Sequence, residues 1–272
     1  MPVADGGEGT LDVLCDTTWA YEVPDAFGRS RQALVGALAD GTTVVEAAQA
    51  IPFDPERLDV LAASSRGLGE LIAQLADGAL VVAVGGTATM DGGAGLLEVL
   101  DRLPGPTRVL CDVSTRLYAA PGLYGPQKGA SPEQLAELEA RLREMEELAP
   151  YAELPGSGAA GGLGAALASL GAELVPGAET VLDLLGFEPR PYDLVVTGEG
   201  TVDATTWEGK APAVVARRCR EAGVRCVVFG GRVTSGTVPE GLSLMALSGN
   251  PRRAEEDLVE LGRKLGLGGR GA

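Results

Sequence analysis

The sequence predicts an α/β fold built on a parallel, helix-covered sheet, and three observations carry that expectation. Short continuous apolar runs such as Ala79–Val84 and Leu194–Val196 read as buried strands. Stretches with apolar residues at helical spacing alternate with them along the chain, the order that parallel sheets require. Glycine-rich, acid-bearing loops stand at strand or helix junctions, and open α/β sheets place their ligands beyond the carboxyl ends of strands.

Taken in order, Met1–Asp5 is a short extended stub that runs into Asp5-Gly-Gly-Glu-Gly9, followed by a short helix over Thr10–Thr17 with Leu11 and Leu14 on one face. A strand that opens a domain is usually longer than this stub, so the natural first elements are expected upstream of Met1. Val35–Ala48 holds a hairpin, with Ala39-Asp-Gly-Thr42 as the turn and Thr43–Glu46 as the returning strand. Ser64–Leu75 is a helix with Leu68, Leu71, Ile72 and Leu75 inward. The strand Ala79–Val84 empties into Gly85–Gly95 ahead of a helix over Leu96–Leu103, and Arg108–Val113 is a further strand. Ser131 then caps a helix whose first turn holds Pro132 and whose inner face carries Leu135, Leu138, Leu142 and Met145. Pro155–Gly171 reads as a glycine- and alanine-rich helix and Thr180–Leu185 as another. After Leu194–Val196 the chain enters a glycine turn carrying Glu199 and Asp203, with Lys210 opening the helix Ala211–Ala222. Strands over Arg225–Gly230 and Leu242–Leu247, an amphipathic helix over Ala254–Leu265 and a disordered tail over Gly266–Ala272 complete the chain.

At 272 residues and 45% hydrophobic, the chain can bury a full core and is long enough for one large or two ordinary domains. Its formal net charge of -16 argues against a broad nucleic-acid or anionic-membrane surface, so an anionic substrate needs a local basic pocket. Histidine is absent, which removes Ser/His/Asp triads, HExxH zinc chemistry and histidine pH switches, and leaves acid–base work to carboxylates or lysine. Cys15, Cys111, Cys219 and Cys226 show no CxxC pairing and read as free thiols of a cytoplasmic protein. No stretch reads as a signal peptide, and no apolar run is long enough to span a membrane. Lysine occurs only at Lys128, Lys210 and Lys264. The first two lie in the glycine-bracketed loops Gly125-Pro-Gln-Lys-Gly129 and Glu208-Gly-Lys210, where a compact point charge can meet a phosphate or carboxylate.

Four glycine-rich loops therefore stand out, at Asp5–Glu8, Gly85–Gly95, Gly125–Gly129 and Gly198–Lys210. Glycine leaves backbone N–H groups open to phosphate oxygens, and lysine neutralises the charge that spreads over those oxygens during transfer. Carboxylates hold Mg²⁺, and a carboxylate beside an acceptor hydroxyl orients it and takes its proton. These are kinase parts. A single acid in such a loop is more often a turn former or helix cap; Asp12 and Asp16 are read that way, Asp5 and Asp203 as functional. Other nucleotide signatures fail. Ala204 and the lack of Ser or Thr after Lys210 break a P-loop, and Gly156–Gly161 spells GxGxxG but follows Glu153-Leu-Pro155 and not an apolar strand.

With these segments identified, the sequence resembles the bacterial type-1 glycerate kinases. The resemblance rests on Pro2-Val-Ala-Asp-Gly-Gly-Glu-Gly-Thr10, Val84-Gly-Gly-Thr-Ala-Thr-Met-Asp-Gly-Gly-Ala-Gly95, Cys111-Asp-Val113, Tyr124-Gly-Pro-Gln-Lys-Gly-Ala130, Gly158-Ala-Ala-Gly-Gly-Leu-Gly164, Thr197-Gly-Glu-Gly200 with Asp203, and Gly209-Lys210. It implies an ATP- and Mg²⁺-dependent kinase acting on D-glycerate or a related hydroxy acid, most often at the 2-hydroxyl. It also implies a Rossmann- or flavodoxin-like domain, here residues 1–17 with 190–272, interrupted by an inserted α/β domain over 18–189, with the active site in the interdomain cleft.

Carried over by position, Asp5, Glu8, Asp91, Lys128, Glu199, Asp203 and Lys210 match polar positions of the family motifs. The resemblance assigns Lys128 and Lys210 to phosphate or substrate carboxylate, Glu199 and Asp203 to Mg²⁺ or the acceptor hydroxyl, and Asp5 to the base. Gly6, Gly7, Gly85, Gly86, Thr87, Gly92, Gly198 and Gly200 join Glu8 and Asp91 as expected substrate or nucleotide contacts. Relatives open with an Ala-Pro-Asp-Ser-Phe-Lys-like segment that has no counterpart before Met1. That departure motivates a competing reading, a non-catalytic relative that binds nucleotide or a small hydroxy acid. An NAD-dependent oxidoreductase using Gly156–Gly161 is a third.

Overall fold

Period-two alternation in short apolar runs places the strands of the N-terminal part of the chain between two helical layers. The computed structural model describes residues 1–234, Pro239 and 242–266, and the chain divides by contact into the units Met1–Gly186 and Phe187–Ala272. In the first unit α1 (Thr10–Leu14) precedes β1 (Thr18–Pro24), β2 (Ser30–Ala37) and β3 (Thr43–Glu46). Next come α2 (Ala47–Ala50), α3 (Arg66–Ala73), β4 (Leu80–Ala83), α4 (Ala94–Leu97) and β5 (Thr107–Cys111). The unit closes with α5 (Ala120–Tyr124), α6 (Pro132–Glu144), α7 (Leu163–Ser169), β6 (Glu173–Pro176) and α8 (Gly177–Leu184). Its six strands lie in chain order, antiparallel from β1 to β3 and parallel from β3 to β6.

Register sorts the side chains of this sheet. Val45, Val82 and Val109 stand in one row, buried with Leu68, Leu71 and Ile72 of α3 and Leu163 and Leu167 of α7. Val44, Val81 and Leu110 point the other way, onto Leu11 of α1 and Val181 of α8. Each fully buried aliphatic side chain contributes roughly 1.5–3 kcal/mol. An exposed ion pair such as Arg141–Glu137, at 2.6 Å, is worth less than about 1 kcal/mol. The layers, and not the surface pairs, hold the sheet together.

The second unit contains β7 (Leu194–Val202), α9 (Ala211–Ala222), β8 (Arg225–Val233), β9 (Ser243–Ala246) and α10 (Ala254–Lys264). Its sheet is parallel throughout, in the order β7-β8-β9. Val202, Ala216 and Val228 form a small buried cluster that ties α9 to the strands. Among the described residues no helix is long and apolar enough to cross a membrane.

The mixed α/β class matches the sequence expectation, and most of its helices and strands fall where the periodicity puts them. Two strands are unanticipated, β1 and β6, the two edges of the first sheet. Both end in proline and carry acids, features of edge strands that mask a strand pattern. The glycine turn expected after Val196 is instead strand: β7 continues to Val202, with Gly198 opposite Phe229, Glu199 opposite Gly230 and Thr201 opposite Arg232. The missing side chain at Gly198 lets the Phe229 ring lie over the strand, since a Cβ there would stand 2.6 Å from it. Residues 1–17, expected to share a domain with 190–272, pack inside the first unit, where Leu11 is buried on the sheet. The expected tail lies, beyond Gly266, outside the described residues.

The Ser131 cap of α6 is present as a full capping box. The Ser131 hydroxyl accepts the Gln134 N–H at 3.3 Å, and the Gln134 side chain accepts the Ser131 N–H at 2.9 Å. Ser131→Ala is expected to lower unfolding stability by about 1 kcal/mol, read as a shift in urea midpoint at unchanged slope.

Candidate functional site

The carboxyl ends of β3, β4 and β5 build the site of the first unit. Beyond Ala83 the chain passes Val84, whose N–H donates to the Leu110 carbonyl at 3.4 Å, and reaches Gly85, whose N–H donates to the Gly6 carbonyl at 3.1 Å. The Asp5–Glu8 loop is thereby drawn against the end of β4. A Cβ on Gly85 would lie 2.7 Å from the Gly7 Cα, and one on Gly177 would lie 1.9 Å from the Asp5 carbonyl oxygen. No side chain fits at either position.

Glu46, the last residue of β3, fixes the other end of this loop. Its carboxylate accepts the N–H groups of Gly9 at 3.2 Å and Leu11 at 3.1 Å, and the residue is 3% exposed. Helix α1 has no capping side chain of its own at its N-cap, Gly9, so a residue far along the chain satisfies its first N–H groups. Burial pushes the Glu46 carboxyl above its ordinary pKa, opposed by the Leu11 and Gly9 N–H groups and by Gln49. Its only sequence signal is an acid closing the apolar run Val44-Val45.

These segments enclose a cavity of about 400 Å³ lined by Asp5, Gly7, Glu8, Gly85, Gly86 and Thr87. Lys128 and Asp112 complete its polar wall, with Phe53, Tyr124 and Ala160 also lining it. Lys128 is the last residue of the 3-10 turn Pro126–Lys128, which Gly129 closes. Its ammonium donates to the Thr89 carbonyl at 2.9 Å. Burial lowers the Lys128 pKa to about 8, against the raising charges of Asp91 and Asp112. Ala160 adopts φ 52°, and it is the one non-glycine residue with positive φ among the described residues. Asp112 and Ala160 lie inside the segments Cys111–Val113 and Gly158–Gly164, where the sequence alone does not set them apart from their neighbours.

Asp91 and Gly92 take other places. The Asp91 carboxylate accepts the Ser65 N–H and hydroxyl, both at 2.8 Å, and the N–H groups of Gly93 at 3.1 Å and Gly95 at 3.2 Å. It buckles the Gly85–Gly95 loop to the start of α3 and does not line the cavity. Gly92 donates its N–H to the Gly161 carbonyl at 3.0 Å and packs against Leu142 and Met145. Gly6 borders the cavity only through its neighbours, stacked on Leu110. The Gly156–Gly161 segment follows a 3-10 turn over Glu146–Tyr151 and not a strand, so the strand-to-helix setting of a dinucleotide fingerprint is missing.

In the second unit Glu199 and Gly200 line a separate cavity of about 500 Å³ together with Thr201, Arg232 and Asn250. The Thr206 hydroxyl donates to Glu199 Oε1. Asp203 caps the 3-10 turn Ala204–Glu208, its Oδ1 accepting the Thr205 N–H at 2.9 Å and hydroxyl at 2.6 Å. The Thr205 hydroxyl first, with the Lys210 charge among the lesser causes, holds the Asp203 carboxyl below its ordinary pKa. Lys210 is the N-cap of α9. Gly198, Asp203 and Lys210 do not line the cavity that Glu199 lines.

Among the described residues no three acidic or thiol side chains converge as a ready metal cage. The donor set still fits Mg²⁺, which keeps several waters and takes one or two carboxylates plus substrate phosphates. The bonds to Thr205 and Thr206 engage one oxygen each of Asp203 and Glu199 and leave the other oxygen of each outside those bonds.

The model of the glycerate kinase family matches residues 1–103 and 105–249. Glycerate 2-kinase of Escherichia coli (strain K12) is 37% identical over 79% of this chain and 71% of its own length. Glycerate kinase of Bacillus subtilis (strain 168) is 33% identical over 86% of this chain and 76% of its own. A crystal structure assigned as glycerate kinase 2 of Salmonella typhimurium LT2 superposes with a TM-score of 0.77 at 30% identity, covering 97% of this chain and 86% of the other.

Gly177→Ala is expected to destabilise the protein by about 1–3 kcal/mol through the Asp5 backbone clash, seen as a lowered urea midpoint. Lys128 gives a pH signature. Its pKa falls from 10.5 to about 8 on folding, so between those values the unfolded chain binds more protons and stability rises with pH. The urea midpoint should therefore rise from about pH 8 to about pH 10, and Lys128→Met should flatten that slope.

Proposed function

The chain belongs to the glycerate kinase family and is a kinase by that membership, and we propose that it transfers the terminal phosphoryl group of ATP to the 2-hydroxyl of D-glycerate, giving 2-phosphoglycerate. The observation that carries this reading is the first-unit cavity, which sets the buried cation of Lys128 in one small space with the carboxylates of Asp5, Glu8 and Asp112. A small acid with a hydroxyl to be activated needs both charges.

Asp5 takes the role of base, accepting the acceptor's hydroxyl proton as its oxygen attacks phosphorus. Its backbone is held from two sides, with Gly177 beneath its carbonyl and Glu46 fixing the N–H groups of Gly9 and Leu11 downstream. Glu8 shares the cavity, and its charge favours an acceptor whose own charge is turned toward Lys128. Gly85 and Gly86 contribute space; the Gly85 N–H is already bonded to Gly6.

Glu199 and Asp203 are the residues that would hold Mg²⁺, each with one oxygen outside the threonine bonds. When bound, the ion supplies neutralisation of charge on the phosphate oxygens. Lys210, whose charge reaches Asp203, is assigned to the transferred phosphoryl group. Gly200 leaves open space beside β7, whereas the space beside Gly198 is taken by the Phe229 ring.

A coupled ADP-release assay with D-glycerate, ATP and Mg²⁺ tests the reading, with ³¹P NMR of the product to identify the phosphorylated hydroxyl. Turnover to 2-phosphoglycerate is expected, and binding of either substrate without ADP release would leave a non-catalytic relative in its place. Lys210→Ala should lower kcat/KM by about 10²–10³ at an unchanged melting temperature; normal kinetics would remove that lysine from the reaction.

A further inference from the structure

The cavity of the first unit contains two polar groups that the protein leaves incompletely satisfied. The Thr87 hydroxyl is buried without a hydrogen-bond partner among the described residues, on a residue that lines the cavity and is only 3% exposed. The Thr89 hydroxyl shares that condition but does not line the cavity. Lys128, 6% exposed, bonds the Thr89 carbonyl with one of the three N–H groups of an ammonium.

An unpaired buried hydroxyl is left with its desolvation cost, and an apolar group of the same shape removes that cost. Valine at position 87 would therefore serve folding better than threonine does. The remaining charged wall is anionic, formed by Asp5, Glu8 and Asp112. A bound anion is thus repelled by these carboxylates and attracted to the buried cation of Lys128, and Thr87, with its unpaired hydroxyl, belongs to the same lining.

We propose that Thr87 and Lys128 form a carboxylate subsite that takes the acid group of a small 2-hydroxy acid. This rests on the reading above in that the same acid is the phosphoryl acceptor. The cavity of about 400 Å³ admits such an acid with water to spare, and the subsite recognises it without nucleotide. The carboxylate accepts from the Lys128 ammonium and the Thr87 hydroxyl, which directs the substrate's hydroxyl end toward the carboxylate wall.

The test uses thermal melts of the full chain without nucleotide, with D-glycerate, L-lactate and uncharged glyceramide as probes. The wild type should be stabilised by both acids and not by the amide. Thr87→Val should melt at or above the wild-type temperature without ligand, yet need about tenfold more D-glycerate for the same shift. Lys128→Met should abolish the shift. A Thr87→Val protein that melts below the wild type, or responds to the acids as the wild type does, overturns the subsite, as does a wild type that binds neither acid. If the acids bind as expected but D-glycerate gives no ADP release, the acceptor reading falls and the subsite stands. If D-glycerate turns over with an unchanged KM in Thr87→Val, the reading stands and the subsite falls.

Discussion

The approach of the Asp5–Glu8 loop to the end of β4 and the start of α8 is closer than side chains permit, and the site depends on it. Gly7 meets Gly85 and the Asp5 carbonyl meets Gly177, each at a distance that a Cβ would violate. Backbone packed on backbone leaves little room for the loop to rearrange, so the acids it carries are presented in one arrangement. Glu46 completes the restraint by taking the first N–H groups of α1. Ordering a flexible loop costs about 1–2 kcal/mol per residue, and this much contact offsets that cost before any ligand arrives.

Electrostatics gives the same region its selectivity. A chain of net charge -16 repels small anions at long range, yet its first-unit cavity contains a lysine removed from water. Burial is the dominant effect on that lysine and brings its pKa to about 8, with Asp91 and Asp112 opposing. A group with that value is still mostly charged near neutrality. In a desolvated setting its attraction for an anion is several times what an exposed lysine could exert. The overall charge and the local charge therefore have opposite signs without contradiction.

The sequence made the interior of the fold legible and left its margins obscure. Strands β4 and β5 and helices α6 and α9 follow from apolar runs, a cap and helical spacing, because each is buried on the pattern that identifies it. The edges β1 and β6 escape for the opposite reason, carrying acids, exposing much of their length and ending in proline. The stretch after Val196 misleads because glycine serves two ends. It usually breaks a strand, but Gly198 here keeps β7 in register by yielding space to Phe229. At the site, the motif residues Asp5, Glu8, Gly85, Thr87 and Lys128 do share one cavity. Asp91 shows the limit of that logic, since an acid in a glycine loop can be wholly engaged in tying the loop to a helix. Glu46 shows the converse, a residue outside every motif that fixes a motif in place.

The strand sequence of the first sheet has one more implication. Its six strands stand in space in the order in which they are made, so each can dock on a neighbour already present as the chain leaves the ribosome. Helix α8 is the exception, because its first residue closes under Asp5, at the far end of the polypeptide. The sheet can thus assemble vectorially, and the contact of Gly177 with the Asp5 carbonyl forms only when the last helix of the unit has been synthesised.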